Sequence, residues 1–559
     1  MIPDLDNKFC CIANNDDFVL AALVSSYIYS GKYIPFFRFL NVSTEEDFLD
    51  SNFIDEHQIS RSRSRIFNTR VNNCISRMRH CETIILIGLT EDQKSYLTFP
   101  EDIDILEIED ETDVENYLLG IASEKDILKC NAENILQSLH YAHRNNMRLE
   151  IQSYISSSTN IITEEKENGL IVIENRFDVS GILAINYASS ISAEIKVIDA
   201  PKIEENDVNE YIEKWKLEND ENSIEELRKL IITNITDINL DFPFVTFFTI
   251  GIPYSLIFKN AIPITHVHLY LDPDFFIFNN IYFEENEKLF SSLVFSPKFF
   301  LNEETQNVIQ NLKKANYLVF ELLDEEATST NIDYAVQTLP FSVLHFCSHG
   351  GTVKGSRLKK SFRDSDGNEH IVEYDQVLSI MPERGKELIK VVLKYLPRRF
   401  DNLIWQSKEL KELNYPHHVF SDMLKAISIS GDKDIISRTV IKNIPNSCAI
   451  ICKSFHYQAM FTTFCDNHSP LIFNNTCWSN SDIKSHFIAN GTRAYIGTLW
   501  NIGNPTARES AKIFYDNIFD KPFMENFHSM QNLITEHSDK NIYIFWGLHF
   551  STLSRGIDV

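Results

Sequence analysis

A chain of 559 residues with a hydrophobic fraction of 43% exceeds what one core usually fills, so about two to four domains are expected. Its 79 acidic and 52 basic side chains give a formal charge of -27, which argues against general binding to nucleic acid or to an anionic membrane. Protein or neutral peptide partners fit that charge better.

The opening MIPDLDNKFC lacks the basic stretch and apolar core of a secretory signal, so a cytoplasmic location is expected. Phe9 to Ala13 reads as a buried strand, the Asn14 to Asp17 cluster as a helix start, and Tyr33 to Phe39 and Thr83 to Gly88 as further strands. Strands separated by helices of this length imply a mostly parallel sheet. The Arg61, Arg63 and Arg65 repeat is the concentrated basic feature of this region; it reads as a solvated surface or as a grip for a phosphate or an acidic partner.

The polar stretch Ser156 to Asn168 separates this N-terminal unit, residues 1–165, from a second α/β region. There Leu170 to Ile173, Glu194 to Ile198, Val245 to Thr249, Val267 to Leu271 and Tyr317 to Leu322 read as strands, and Asn206 to Thr233 as a charged helix. The least charged run, Phe242 to Phe258, holds two prolines and is shorter than the roughly 20 apolar residues of a spanning helix. The expected fold class is therefore α/β, a mostly parallel sheet flanked by helices with an additional N-terminal α/β domain. Lys386 to Tyr395 and Lys408 to Ile427 read as helices within an insertion at about 376–447. No short-period repeat is visible.

Chemistry concentrates in two segments. FSVLHFCSHGG, Phe341 to Gly351, is an apolar strand that ends at a histidine followed by two glycines. A histidine at the carboxyl edge of a parallel strand stands where open α/β sheets place ligands, and the glycines let the backbone approach a substrate. The second segment, Pro470 to Tyr515, carries the strand LIFN, which delivers Thr476 and Cys477 to an edge, and then the strand Ala494 to Trp500. A thiol has an unperturbed pKa of about 8.5, so an imidazole beside it is what makes it a nucleophile at neutral pH.

Together these segments resemble the CHAT cysteine peptidases, relatives of caspases and separase. The family pattern is a strand ending in H-x-x-x-H-G, a polar hairpin, a strand ending at the nucleophilic cysteine, and G-x-R-A-x-I-G-T-L-W. His345, His349 and Gly350 fit the first element, Ser361 to Val377 the hairpin, Cys477 the third, and Gly491, Arg493, Ala494, Ile496 to Trp500 the last. The terminal IYIFWGLHF, Ile542 to Phe550, is similar to the aromatic strand that closes such domains.

The resemblance implies a caspase-like endopeptidase, with His349 as base, Cys477 as nucleophile, and an oxyanion hole from the backbone N–H groups of Gly350 and Cys477. It implies no cofactor and no catalytic metal. It further implies a degenerate caspase-like subdomain at 166–335 and an active one at 336–559. CHAT peptidases act in bacterial defence or signalling, so the implied partners are a protein substrate, gasdermin-like or CRISPR-associated, and a regulatory partner. In related branches an aspartate two positions before the cysteine pairs with a basic substrate side chain; Asn475 stands there, so a neutral pocket is expected.

Two other readings compete. Cys448, Cys452, His456, Cys465 and His468 have spacings that zinc could use, although SCAIIC is an apolar run whose thiols read as buried small hydrophobes. A non-catalytic scaffold with the same fold is the other. His345 and Cys347, on the same strand as His349, read as core residues. No phosphate loop, H-E-x-x-H helix, G-x-S-x-G elbow or dinucleotide fingerprint is present.

Overall fold

The computed structural model describes the chain apart from residues 43–53, 153–167, 204, 234, 236–237, 239–240, 259–260, 287, 298–302, 352–354, 383–388, 406–409, 411–412, 429–433, 442–448, 453–455, 458–467, 481, 535–541 and 557–559. The molecule is α/β, as expected, and is organised by a ten-stranded sheet. Its strands in chain order are β1 (Leu170–Asn175), β2 (Glu194–Asp199), β3 (Val245–Thr249), β4 (Ile264–His268), β5 (Ser291–Ser296), β6 (Leu318–Leu323), β7 (Val343–Cys347), β8 (Leu471–Asn475), β9 (Ala494–Thr498) and β10 (Tyr543–Gly547). Most are apolar runs buried on both faces, the signature of strands covered by helices on either side.

The spatial order is β6-β5-β7-β8-β9-β10-β4-β3-β1-β2. Every neighbouring pair is parallel except β9 and β10, where the direction reverses. The sheet is therefore two sets of five strands running in opposite senses. Within each set the first four strands in chain order take the arrangement second-first-third-fourth. The restart of that order falls at Ser291. The same arrangement occurs a third time in the N-terminal unit, whose parallel strands lie in the order Phe36–Phe39, Phe9–Asn14, Thr83–Ile87, Asp104–Ile108. This threefold recurrence leaves no sequence repeat, because a buried strand demands apolar side chains and not particular ones.

The N-terminal unit packs directly on the first set. The buried Asn186, on the helix Val179–Ser190, accepts from Ile34 N at 3.2 Å and donates to Ile34 O at 2.7 Å, mimicking one more rung of ladder. Asp274 likewise accepts from the backbone N–H of Arg38 at 2.9 Å.

The insertion departs from expectation. Of the expected helix Lys386 to Tyr395, residues 386–388 lie outside the described ones and the rest is not helical: Ile389–Phe400 is a strand of a five-stranded antiparallel sheet with Gly355–Arg363, Glu369–Pro382, Leu403–Ile404 and Ile435–Ile441. The run IKVVLKYLPRRF has helical spacing, but it carries a valine pair and a proline, and its long ladder with Glu369–Pro382 decides the outcome. One helix, His417–Ser428, does fall in the second expected helical segment, and its Phe420 and Met423 cover the sheet. The charged segment 206–233 forms two helices, Glu205–Leu217 and Glu221–Ile232, with Asp220 capping the second.

Candidate active site

β7 and β8 are adjacent and parallel, in a register that sets Cys347 opposite Asn475. Each chain therefore leaves the sheet at the same edge, and two residues beyond each strand stand His349 and Cys477. Both line one cavity of about 180 Å³, together with Glu304, Asn475, Ile502 and Arg508.

The turn that presents Cys477 is held from many directions. Trp478, the next residue, takes a left-handed φ of 57°, uncommon for a bulky residue and sustained only where surroundings over-determine it. Those surroundings are a hydrogen-bonded web: Ser479 Oγ donates to Asn474 O at 2.8 Å, Thr498 Oγ1 donates to Thr476 O at 2.6 Å, and Trp546 Nε1 donates to Asn480 Oδ1 at 2.8 Å. Cys477 itself is half-buried, and its Sγ accepts from Ile502 N–H at 3.4 Å. Residues Asn504, Pro505, Ala507 and Arg508, the start of the helix Asn504–Asp516, also face the cavity. The thiol in turn donates to Ile502 O at 3.8 Å, and Arg508 pairs with Glu303 at 2.5 Å.

His349 is exposed at the mouth, and partial burial holds its imidazole below the ordinary 6.5. Such a group is neutral, and able to take a proton, at pH 7. Gly350 and Gly351 pair antiparallel with Ile450 and Ala449, which gives the loop after His349 a short ladder of its own. Cys347 also borders the cavity, but burial and the neighbouring Glu304 push its thiol well up, so it is unsuited to be the nucleophile.

Glu304 is the residue that sequence reasoning missed. It lies in the first turn of the helix Glu303–Lys314, and its Oε1 accepts from His345 Nε2 at 3.0 Å and from Asn475 Nδ2 at 2.8 Å. His345 is fully buried and holds that carboxylate with one ring nitrogen, while Nδ1 has no hydrogen-bond partner among the described residues. Asn475 is consumed too: it donates to Ala507 O at 2.9 Å and accepts from Tyr543 OH at 2.5 Å. The pocket wall near Asn475 is thus an amide pinned to a carboxylate. The signal for Glu304 was a paired acid at a helix start, which ordinarily reads as a dipole cap.

The zinc set is not brought together among the described residues. Cys448, Cys465 and the side chain of His456 lie outside them; Cys452 is buried, its thiol donating to Ile450 O at 3.7 Å, and His468 packs edge-on against Phe341. The described side chains that do converge as possible metal ligands are Asp364, Asp366 and His418, at the insertion's hairpin. Asp364 there accepts from the backbone of Asp366 and Asn368, which explains it as a turn residue. Of the arginine repeat, Arg61 donates to Tyr96 OH while Arg63 lines a separate cavity. No described helix is long and apolar enough to cross a membrane.

No family model and no curated protein matches the chain. Among solved structures it is similar to gingipain R (RGPB), described as an Arg-specific cysteine proteinase, at 11% identity and a TM-score of 0.38 over 70% of this chain and 80% of that one. It is also similar to the complex of Porphyromonas gingivalis RgpB pro- and mature domains, at 12% identity and a TM-score of 0.34 over 69% and 80%. Cwp6 from Clostridium difficile follows at 12% and 0.27 over 65% and 62%. Likeness of this degree assigns no residue, and the chemistry rests on this chain's own geometry.

Proposed function

We propose that the protein is a caspase-like cysteine endopeptidase in which Cys477 is the nucleophile and His349 the general base. The observation that carries this reading is the pair itself: a thiol and an imidazole, each two residues past the end of adjacent parallel strands, lining one cavity. The Cys477 thiolate attacks the scissile carbonyl carbon, and its oxyanion is met by the backbone N–H groups of Gly350 and Cys477. The carbonyl reforms as the C–N bond breaks, His349 hands its proton to the leaving amine, and a thioester remains. His349 then deprotonates water, whose attack releases the acid and regenerates the thiol.

Asn475 belongs to the substrate subsite, and Glu304, held by His345, shares the wall it forms. On this reading a basic side chain at the residue preceding the scissile bond is the better complement, because a carboxylate takes a cation in a charge-assisted hydrogen bond that an amide alone does not offer. The motif resemblance to CHAT peptidases supports a regulated cytoplasmic protease of bacterial defence or signalling that cuts one partner, gasdermin-like or CRISPR-associated. On this reading residues 1–165 hold the switch, the first strand set is the degenerate subdomain and the second the active one. The test is a search for new protein N-termini in cells expressing the wild-type chain or Cys477→Ala. Cleavage products confined to the wild type are expected; identical N-termini in both would remove the peptidase reading.

A further inference from the structure

A second cavity is larger than the one at Cys477. It measures about 490 Å³ and opens where three parts of the chain meet: the carboxyl end of the strand Phe36–Phe39, the helix Ile54–Arg77, and the start of the helix Pro273–Glu285. Ala489 and Asn490 close it, at the end of the helix Asp482–Ala489 that begins five residues after Cys477. Its size is that of a small-molecule site, and the seam between units at the carboxyl ends of parallel strands is where such sites form.

The lining is aromatic with converging guanidinium groups. Phe39 and Phe67 stack at 4.4 Å, and Phe275 meets Phe67 edge-on at 5.8 Å. Arg70 is accounted for: it pairs with Asp272 at 2.5 Å and lies over the Phe275 ring at 4.0 Å. Arg38 is buried, and its guanidinium donates to Ser180 Oγ at 3.1 Å; Arg63 stands at the rim and reaches Asn41 O at 3.5 Å. Among the described residues neither guanidinium lies within salt-bridge distance of a carboxylate, although Asp272 acts on Arg63 and Asp274 on Arg38 through space. Asp274, the remaining acid of the cavity, has its carboxylate turned to the backbone N–H groups of Arg38 and Phe275. Three guanidinium groups, Arg38, Arg63 and Arg70, against two carboxylates, Asp272 and Asp274, leave the described lining with an excess of positive charge beside three phenyl rings, which asks for one kind of molecule.

We infer that this cavity is a binding site for a small organic anion, a phosphate or carboxylate head on a flat apolar body, with Arg63 and Arg38 taking the head and Phe39, Phe67 and Phe275 the body. The site is independent of the peptidase reading.

Isothermal titration of the full chain with phenyl phosphate, benzoate and inorganic phosphate tests it. Phenyl phosphate or benzoate is expected to bind, at least about tenfold more tightly than inorganic phosphate, and to lose at least about tenfold in affinity in Arg63→Ala, as loss of a charge-assisted contact implies. Arg508→Ala, which alters the other cavity, should leave that affinity unchanged. Arg63 is at the rim, so the variant should keep the wild-type circular dichroism. If neither aromatic anion binds, if Arg63→Ala binds as well as wild type, or if Arg508→Ala alone abolishes binding, the inference is overturned. Equal affinity for inorganic phosphate would overturn the apolar part of the site.

Discussion

The two strand sets of the central sheet share one arrangement and end in different chemistry. In the second set, β7 leads into His349 and β8 into Cys477; two residues beyond the corresponding strands of the first set, β3 and β4, stand Gly251 and Tyr270. The edge beyond β3 and β4 is filled rather than open. Glu174 accepts from Thr249 Oγ1 at 2.6 Å, Tyr254 OH at 2.8 Å and Ile250 N at 3.1 Å. Glu205 takes Lys484 and His268 as partners and lies so close to Gly251, whose φ is +115°, that a side chain there would strike it. One scaffold thus supplies two edges, and whether an edge becomes a site depends on whether acidic and aromatic side chains plug it or leave a thiol facing a cavity.

The comparison breaks most visibly at the nucleophile. Cys477→Ala and His349→Ala should each reduce proteolysis by more than about 100-fold with thermal stability retained, because the pair acts as a unit. A residual rate above about a hundredth of wild type, measured on the physiological substrate, would dissolve the distinction between the two edges.

The next effect is on folding and belongs to the plugged edge. Lys484 is fully buried and, besides pairing with Glu205, sits 4.5 Å from the Trp546 ring. Lys484→Met leaves the partly buried Glu205 carboxylate with His268 as its remaining partner and should cost about 1.5–3 kcal/mol in urea denaturation, whereas adding Glu205→Gln should restore most of it. Glu205 also gives a pH signature. Burial pushes its carboxyl up, but Lys484 and the His268 hydrogen bond outweigh this and hold it at about 2, below the ordinary 4.5. A depressed carboxyl contributes stability that is fully present above pH 4.5 and is lost as pH falls towards 2. Glu205→Gln should flatten stability across that window; an unchanged slope would show that the pair does not form.

A smaller change is expected at the open edge. Glu304→Gln keeps an acceptor for His345 and Asn475 but removes the charge, so kcat/KM for peptides with Arg or Lys before the scissile bond should fall about tenfold while neutral peptides are little affected. Peptide-library profiling of both forms decides this, and a wild-type preference for apolar residues would return the pocket to the neutral character expected from Asn475 alone. Smallest of all, Tyr270→Ala changes an exposed side chain at the position matching Cys477 and should alter stability by no more than about 0.5 kcal/mol and proteolysis not at all.

Much of this was legible in the sequence. Apolar runs that end in a histidine or a cysteine mark both strand and site, so β7, β8 and the pairing of His349 with Cys477 in one cavity could be expected from local pattern. The strand Ile389–Phe400 could not, because its pattern fits a helix as well and only a partner strand decides between them. Glu304 was hidden for a related reason: it reaches the cavity through the packing of its helix, 171 residues from Asn475 in sequence, and a helix-start acid carries no mark of what it will face. The pseudo-repeat of strand order was invisible because it is a property of connections.

The central claim is that His349 activates the thiol of Cys477, and the most direct test is the alkylation rate of each of the ten cysteines by iodoacetamide near pH 7, followed by mass spectrometry. Cys81, the other described cysteine not fully buried, has its thiol pushed up to about 11, chiefly by burial, and should react slowly. Cys477 should be modified first by at least about tenfold, as expected of an activated thiolate, and should lose that lead in His349→Ala. Labelling of Cys477 no faster than Cys81, or a lead that survives His349→Ala, would contradict the account.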